Sequence, residues 1–247
     1  MYTVTTSEGG RELTRDPAGP VSGWKLRLYQ VFWLIAMALS CSYFPGRVEG
    51  RDNLPAEGAY ILAPIHRSYI DWLVVARVTR RRLRYMAKDE LWKYKRLGKF
   101  FELLGVFPVH RAAADREAFR RAEAVLAQGE PLVLFPEGTR QHGPLVQPLR
   151  DGAAYLALRA GVPVVPVGLG GTERLMPRGS SFPRPGKVRI VIGTPILPAD
   201  FGAVPGRHRV SRSAARNLSA ALHEAVQVSF DSAQAQLGGA EPAPAGD

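Results

Sequence analysis

The sequence predicts an α/β fold in which a mixed, mostly parallel β-sheet is flanked by helices. Short apolar runs alternate with longer segments of helical periodicity, and this alternation is typical of sheets whose strands are joined by helices. The predicted strands cover 59–63, 83–87, 106–109, 132–135, 162–167 and 188–192. The predicted helices cover 69–78, 90–104, 115–128, 152–160 and 211–230.

Local signals support the ends of these elements in chain order. Pro64 closes the first strand, and Ser68 is a suitable N-cap for the helix that follows it. Gly129 directly follows the third predicted helix and is a suitable C-terminal cap. The prolines of strand 162–167 indicate an unusual strand, at an edge of the sheet or lining a groove, although a buried strand is the alternative.

Composition narrows the class of protein. The 247 residues suffice for a well-packed core, and a formal net charge of +11 favours an anionic partner. Such a partner is a nucleic acid, an anionic membrane surface or a phosphorylated substrate, and no nucleic-acid motif is present. Cys41 is the only cysteine, which excludes an internal disulfide, and no Cys/His cluster has zinc spacing.

The terminal segments lie outside the alternating pattern. Residues 1–20 and 231–247 are predicted to be disordered tails because of their polar, Gly, Pro and Ala content. Residues 21–46 are predicted to form a membrane-associating helix, because no charged residue lies between Arg27 and Arg47. A bilayer core needs about 20 mainly apolar residues. The segment therefore spans, lies half embedded or packs in the core, and a secretory signal peptide is a further alternative.

Basic charge is concentrated in one region of the chain. Residues 77–99 hold most of the excess, and Trp, Tyr and Phe residues interleave with it as far as residue 104. Basic charge mixed with aromatic residues is typical of a helix at a membrane surface. We therefore expect segment 77–104 to contact anionic lipid, with a solvated basic helix as the alternative.

The sequence Pro64-Ile65-His66-Arg67-Ser68-Tyr69-Ile70-Asp71 places a titratable base close to a carboxylate. A loop that folds back can bring Asp71 to one imidazole nitrogen of His66, leaving the other nitrogen to accept a proton from an alcohol. This is the base and orienter of a catalytic triad. The alternative is structural: Ser68 and Asp71 form a capping box, and His66 is an ordinary loop residue.

A second cluster, Phe135-Pro136-Glu137-Gly138-Thr139-Arg140, follows the apolar run at 132–135. Pro136 and Gly138 predict a tight turn at the end of a strand, where α/β sheets bind their ligands. A guanidinium can hold a phosphate through paired hydrogen bonds, so Arg140 is a candidate anion ligand. The alternative is a surface pair of Glu137 with Arg140. Arg111, at the end of a short strand, is a candidate for a second phosphate ligand.

In order and spacing, four blocks resemble the motif blocks of the glycerolipid acyltransferases, and most of all the 1-acylglycerol-3-phosphate acyltransferases: His66–Asp71, Gly105–Arg111, Phe135–Arg140 and Val162–Val167. The resemblance covers about residues 45–200. It implies a fold like that of the glycerol-3-phosphate acyltransferases, with residues 47–230 as the catalytic domain.

The resemblance also implies roles for individual residues. His66 would be the catalytic base and Asp71 its orienter. The acceptor phosphate or head group would be bound by Lys88, Arg111, Glu137, Gly138, Thr139 and Arg140. The fourth block, with Pro163, Val164 and Pro166, would contact the acyl donor or line a groove.

The implied reaction moves a fatty acyl group from acyl-CoA or acyl-carrier protein to a lysophospholipid hydroxyl, above all that of 1-acylglycerol 3-phosphate. It requires no metal or other cofactor. The implied partners are the acyl donor and membrane lipids at an anionic bilayer surface, on the cytoplasmic face of the cell membrane, and nucleic acid is not among them.

Alternatives stay open at this point. Gln141 after Arg140 and His110 before Arg111 depart from the family pattern beside the expected phosphate site. The acceptor could therefore be a lyso-glycolipid, a lyso-aminolipid or glycerol 3-phosphate. A lipid hydrolase that activates water with His66, or a non-enzymatic membrane-binding protein, is the alternative from another class.

Overall fold

The computed structural model describes residues 23–88, 92–94, 98–99, 101–102, 105–109, 116–177, 179–203 and 210–238. The helices of this part are α1 (Trp24–Tyr43), α2 (Asp71–Val75), α3 (Arg116–Ala127), α4 (Gly152–Ala160), α5 (Thr172–Leu175) and α6 (Arg212–Ala235). The strands are β1 (Gly46–Glu49), β2 (Ile61–Pro64), β3 (Arg84–Lys88), β4 (Val106–Val109), β5 (Leu132–Val133), β6 (Val164–Gly170) and β7 (Val188–Ile192). Short 3-10 helices cover Arg51–Asn53 and Pro198–Phe201.

The strands form a single seven-stranded sheet in the order β1-β7-β6-β2-β5-β3-β4. Among these strands only β6 and β7 pair in antiparallel fashion, and every other neighbouring pair is parallel. Strands β2 to β6 therefore all end at the same edge of the sheet, while β1 and β7 run the other way. The predicted mixed, mostly parallel sheet flanked by helices is confirmed.

The element boundaries differ from the prediction in a few places. Strand β1 and helix α5 have no counterpart in the predicted elements. Strand β1 has only half-buried or exposed side chains and is held by pairing with β7, so no local apolar run marks it. The predicted helix 69–78 shortens to Asp71–Val75. The predicted helix 90–104 lies mostly outside the described residues.

Strand β6 lies in the middle of the sheet, so the edge position that its prolines suggested is wrong. The carbonyl of Pro166 accepts a hydrogen bond from the N–H of Gly193 at 2.9 Å. The imino nitrogen of Pro166 faces the same side of the strand as its carbonyl, toward β7. It lies just beyond Val167 and Ile192, which are the last residues paired between β6 and β7. The missing N–H falls where regular pairing has already ended, which makes the proline acceptable in a central strand.

Helix α6 packs across β6 and closes the core on that face. A Cβ atom added to Gly168 would lie 2.1 Å from the carbonyl oxygen of Ser229, so this close approach requires glycine. The buried side of the helix repeats at helical spacing: Leu218, Leu222, Val226, Phe230 and Ala233. The helix continues to Ala235, so the disordered tail predicted from residue 231 is wrong for 231–235.

Helix α1 confirms the helical part of the prediction for 21–46 and buries only one side. Tyr29 and Met37 are buried, and burial raises the pKa of Tyr29 to about 12. Along the opposite side, large apolar residues are exposed at helical spacing: Val31, Leu34, Ile35 and Leu39. In the part of the chain that the structure describes, no helix has the length and apolarity needed to cross a membrane.

Two arginines of segment 77–84 serve the fold instead of a lipid surface, so the membrane-contact prediction is wrong for Arg77 and Arg84. Arg77 is buried and donates to the backbone carbonyl of Phe44 at 2.8 Å. Arg84 is fully buried and pairs with Glu130 at 2.9 Å. Basic side chains that are buried and bonded to the protein do not face lipid head groups. The interfacial role expected for 77–104 therefore stays a prediction for the other residues of that segment.

Candidate active site

The site lies at the edge where β2 and β5 end, as expected for an α/β sheet. The loop after β2 carries His66, and the turn after β5 carries Glu137, Gly138 and Arg140. The two loops meet through the backbone, because the N–H of Gln141 donates to the carbonyl of His66 at 2.9 Å. The first and third sequence blocks are therefore joined into one site.

His66 and Asp71 form the predicted pair. The Nδ1 atom of His66 lies 2.8 Å from the Oδ2 atom of Asp71. The Asp71 side chain is fully buried, whereas 22% of the His66 side chain is exposed. Because a carboxylate accepts, Nδ1 carries the proton, and Nε2 is left as an acceptor. No described residue hydrogen-bonds to Nε2, so this nitrogen can take a proton from an incoming hydroxyl.

The carboxylate of Asp71 also shapes the loop that carries the histidine. Its Oδ2 atom accepts the backbone N–H groups of Arg67 at 2.6 Å and of Ser68 at 2.7 Å. The Ser68 hydroxyl instead donates to the carbonyl of Met176 at 2.9 Å, so the predicted N-cap role of this side chain is wrong. One buried carboxylate thus orients the imidazole and folds its loop.

The imidazole is held on its face as well as at its edge. The ring of Phe135 stacks on that of His66 with a centroid distance of 4.1 Å and an interplanar angle of 27°. Phe135 comes directly before the turn after β5, so its place in the third block is explained by this contact. A ring fixed by Asp71 at one nitrogen and by Phe135 on one face has little freedom to rotate.

Glu137 lies inside the protein, below the histidine loop. Its Oε2 atom accepts the backbone N–H of His66 at 2.9 Å, and its Oε1 atom accepts that of Gln147 at 3.1 Å. Both oxygens also accept from the guanidinium of Arg67, at 2.8 and 2.9 Å. The side chain of Glu137 is fully buried, and both of its oxygens accept hydrogen bonds from the protein. The acceptor-binding role implied for it stays a prediction.

Arg67 is a site residue that the sequence analysis does not single out. Its guanidinium is buried, pairs with Glu137 and donates to the carbonyl of Leu145 at 2.9 Å. It also lies over the ring of Phe230 on α6, 5.2 Å from the centroid. Arg67 could have been found from the chemistry of Glu137. A carboxylate in a buried turn needs a cationic partner, and Arg67 is next to His66 in the sequence.

Arg140 differs from Arg67 in its surroundings. Its Cζ atom lies 3.3 Å from the ring centroid of Tyr69, so the guanidinium is stacked on an aromatic face. No described residue forms a hydrogen bond or ion pair with Arg140, and the side chain is half-buried. Its N–H groups are therefore available to an anion beside His66. Tyr69, half-exposed, is a second site residue that sequence reasoning missed.

The remaining residues of the third block form the turn itself. Gly138 has a φ of 73°, and a Cβ atom there would lie 2.6 Å from Nε of Arg150, so glycine is required. Thr139 is exposed, and its hydroxyl accepts from the side chain of Gln141 at 3.0 Å. Glycine and threonine thus set the turn that carries Arg140, and their contacts with an acceptor stay predictions.

The predicted site residues outside the first and third blocks are described only in part. Val164 and Pro166 are buried in the central strand β6, and Pro163, just before it, is half-buried with its carbonyl accepting the N–H of Ile61 at 2.9 Å. The acyl-donor role implied for them stays a prediction. Lys88 ends β3 at the site edge of the sheet, but its side chain is not described, and Arg111 lies outside the described residues. Within the described residues, no group of three or more His, Cys, Asp or Glu side chains could hold a metal ion.

The comparison with protein families defines the class. A family model described as acyltransferase matches residues 46–170, which is just over half of the chain and contains both loops of the site. The chain therefore belongs to the acyltransferase family, and the resemblance to the glycerolipid acyltransferases is confirmed.

Individual relatives narrow the class further. The 1-acyl-sn-glycerol-3-phosphate acyltransferase of Bacillus subtilis is 30% identical over 67% of this chain and 80% of its own. The human alpha enzyme of that name is 32% identical over 53% of this chain and 48% of its own. The solved structure of the 1-acyl-sn-glycerophosphate (LPA) acyltransferase PlsC from Thermotoga maritima is 26% identical, with a TM-score of 0.67, and the match covers 84% of this chain and 78% of PlsC. These comparisons make the chain an O-acyltransferase.

Proposed function

We propose that the protein transfers a fatty acyl group from an acyl thioester to the free hydroxyl of 1-acylglycerol 3-phosphate, giving phosphatidic acid. The observation that carries the proposal is the imidazole of His66, oriented by Asp71, in a loop that a backbone hydrogen bond joins to the turn carrying the guanidinium of Arg140. The names of the relatives from Bacillus subtilis and Thermotoga maritima support the acceptor. Acyl-CoA and acyl-carrier protein are both proposed as donors.

In the proposed mechanism, His66 acts as general base. Its Nε2 takes the proton of the acceptor hydroxyl while the hydroxyl oxygen attacks the thioester carbonyl carbon, and Asp71 stabilises the imidazolium that forms. The tetrahedral intermediate collapses, the C–S bond breaks, and the thiolate leaves with the proton from His66. The products are an ester and a free thiol, and the enzyme returns to its starting state.

Arg140 is proposed to bind the acceptor phosphate. A guanidinium can donate two parallel hydrogen bonds to a phosphate, and hydrogen bonds to charged groups contribute roughly 1.5–3 kcal/mol each. The ring of Tyr69 occupies the face of the guanidinium and leaves its edges for the ligand. The hydrogen bond from the backbone N–H of Gln141 to the carbonyl of His66 keeps this anion site next to the base. A lysophospholipid anchored by its phosphate would thus present its hydroxyl to Nε2.

Glu137 and Arg67 are proposed to position the histidine loop without touching substrate. Their ion pair is buried, and Glu137 also accepts the N–H of His66. Breaking such a pair leaves an uncompensated buried charge. The carboxylate of the third block therefore supports the base from below, which differs from the acceptor-binding role that the family resemblance implies.

We propose that α1 attaches the enzyme to a membrane surface at the cytoplasmic face, where acyl donors are available. Its exposed stripe of apolar residues suits a helix lying in the plane of the lipid head groups: Val31, Leu34, Ile35 and Leu39. Because the acceptor is a lipid, an enzyme held at this surface meets its substrate without extracting it into water.

A thiol-release assay with the purified full chain tests the proposal. Long-chain acyl-CoA and acyl-carrier protein are offered with 1-acylglycerol 3-phosphate, with other lysolipids including lyso-glycolipids and lyso-aminolipids, and with glycerol 3-phosphate. Products are identified by mass spectrometry. We expect phosphatidic acid as the main product. Faster acylation of another acceptor would reject the acceptor, and fatty acid released at an equal rate without any acceptor would reject the transfer reaction in favour of hydrolysis.

A further inference from the structure

The loop between α5 and β7 has an unusual composition for an exposed segment. Between Glu173 and Asp200 the chain has no acidic residue and five basic ones: Arg174, Arg178, Arg184, Lys187 and Arg189. In the middle of this stretch Phe182 is 81% exposed. A highly exposed aromatic side chain, in a stretch of sequence whose charged residues are all basic, matches the chemistry of an anionic lipid surface.

The exposure of Phe182 is built into the loop. The hydroxyl of Ser180 donates to the carbonyl of Phe182 at 2.8 Å, and the N–H of Arg184 donates to the carbonyl of Leu175 at 2.7 Å. Gly186 packs against Leu175 so closely that a Cβ atom would lie 2.4 Å from its methyl group. These contacts fix the backbone on both sides of Phe182 and leave its ring at the tip.

The loop is also tied to the end of α1. The hydroxyl of Tyr43 donates to the carbonyl of Pro183 at 3.0 Å, and the N–H of Gly186 donates to the carbonyl of Tyr43 at 3.2 Å. Tyr43 is the last residue of α1 and continues its exposed stripe, because Val31, Ile35, Leu39 and Tyr43 follow one another at four-residue spacing. The apolar side of α1 therefore leads directly to the loop.

The loop begins beside the proposed catalytic residues. The carbonyl of Met176 accepts the hydroxyl of Ser68, two residues after His66, at 2.9 Å. On its other side, Glu173 accepts the N–H of Gly143 at 3.1 Å, in the segment that follows Arg140. A surface that holds this loop would therefore lie close to the opening of the site.

We propose that residues 179–187 form a second lipid-binding element, continuous with the stripe of α1, in which the ring of Phe182 inserts at the head-group boundary while Arg184 and Lys187 attract head groups of net negative charge. Both basic side chains are exposed. Two contact elements, one at each side of Tyr43, fix the orientation of the enzyme on the bilayer as well as its attachment. The inference rests on the membrane attachment proposed above and adds the part of the surface that orients the site.

Co-sedimentation of the full chain with vesicles tests the loop. The vesicles are phosphatidylcholine alone or with phosphatidylglycerol. We expect Phe182→Ser to weaken binding about tenfold on both vesicle types, because an inserted aromatic ring is returned to water. The double variant Arg184→Gln/Lys187→Gln should lose about fivefold per residue on anionic vesicles at low salt, and nothing on neutral vesicles. Phe182→Trp should bind like the wild type.

Leu197→Ser is the matched control, since Leu197 is 50% exposed but lies near the opposite edge of the sheet, next to the bridge between Val164 and Ile196. It should bind vesicles like the wild type. Binding of Phe182→Ser equal to that of this control would overturn the proposal. So would a wild-type dimer that Phe182→Ser turns into a monomer, since the surface would then bind a second copy.

Activity separates this inference from the proposed function. With a short-chain, water-soluble lysophosphatidate, Phe182→Ser should turn over at the wild-type rate, because the loop holds no group of the proposed reaction. On anionic vesicles carrying long-chain acceptor its rate should fall with its binding. If the wild type binds vesicles but turns over no acceptor, the proposed acyl transfer is rejected and the lipid-binding role of the loop is retained.

Discussion

Replacing Glu137 by Gln distinguishes a residue that binds substrate from one that holds the site together. The carboxylate accepts from Arg67 and from the N–H groups of His66 and Gln147, and it is fully buried. Removing one partner of a buried ion pair typically costs about 3–5 kcal/mol. Since the amide oxygen of Gln still accepts, we expect a loss of about 3 kcal/mol in the free energy of unfolding, at the lower end of that range.

Thermal unfolding and steady-state kinetics measure the two consequences. For a chain of this size 1 kcal/mol corresponds to roughly 2–4 °C, so Tm should fall by about 6–12 °C. The loop of His66 should shift, and a displacement near 1 Å costs about 10²-fold in rate. We therefore expect kcat to fall about 10–100-fold while KM for the lysophospholipid changes less than about twofold.

A matched variant controls for the loss of charge. Glu117 pairs with Arg121 one helical turn away on α3, and its side chain is 59% exposed. Because exposed pairs of this kind contribute about 0.3–0.5 kcal/mol, Glu117→Gln should change Tm by about 2 °C at most. A Glu137→Gln enzyme with the Tm of the wild type and a raised KM for the acceptor alone would refute the positioning role and restore the ligand role.

Three further variants examine other parts of the site. Asp71→Asn should lower kcat by about 10²–10⁴-fold in the thiol-release assay, because the amide no longer enforces a free Nε2 on His66; a drop below threefold would contradict the pairing. Tyr69→Leu should raise KM for the acceptor about tenfold whereas Tyr69→Phe keeps it, since only the ring face supports Arg140; equal KM values would contradict stacking. Gly138→Ala should lower stability in urea by about 1–2 kcal/mol, and an unchanged midpoint would contradict the strained turn.

The pairing of His66 with Asp71 was predictable because it is local. His66 lies in the loop after β2 and Asp71 is the first residue of α2, and a short segment with a proline before it and a helix after it has few ways to fold. The position at the end of β2 followed from the alternation of strands and helices. Only the role of Ser68 went wrong, since its hydroxyl bonds to Met176, which lies 108 positions away in the sequence.

The supports of the site were not predictable in the same way. Glu137 lies 70 positions from Arg67 and 71 from His66, and their contact depends on which strands are neighbours in the sheet. The spacing of residues along the chain does not carry that information. The stacking of Arg140 on Tyr69 depends on the same contact between two loops, which explains why an exposed tyrosine inside the first motif passed unnoticed.

Charge was the least reliable guide to function. The arginines at 77–84 suggested a lipid contact, yet Arg77 and Arg84 are buried and hold backbone carbonyls or a glutamate. A count of basic residues does not distinguish a side chain that supports a loop from one that faces a partner. Exposure makes that distinction, and it points to the loop around Phe182, whose charge is more modest but open to solvent.

The central claim is that the Nε2 atom of His66 removes the proton of the attacking hydroxyl, and His66→Ala tests it most directly. Release of thiol from long-chain acyl-CoA in the presence of 1-acylglycerol 3-phosphate should fall by about 10³-fold or more. The fold should be retained, with Tm lowered by about 4 °C at most, because Asp71 keeps its hydrogen bonds to the N–H groups of Arg67 and Ser68. A folded His66→Ala enzyme that still forms phosphatidic acid at a tenth of the wild-type rate or faster would show that another group carries the chemistry.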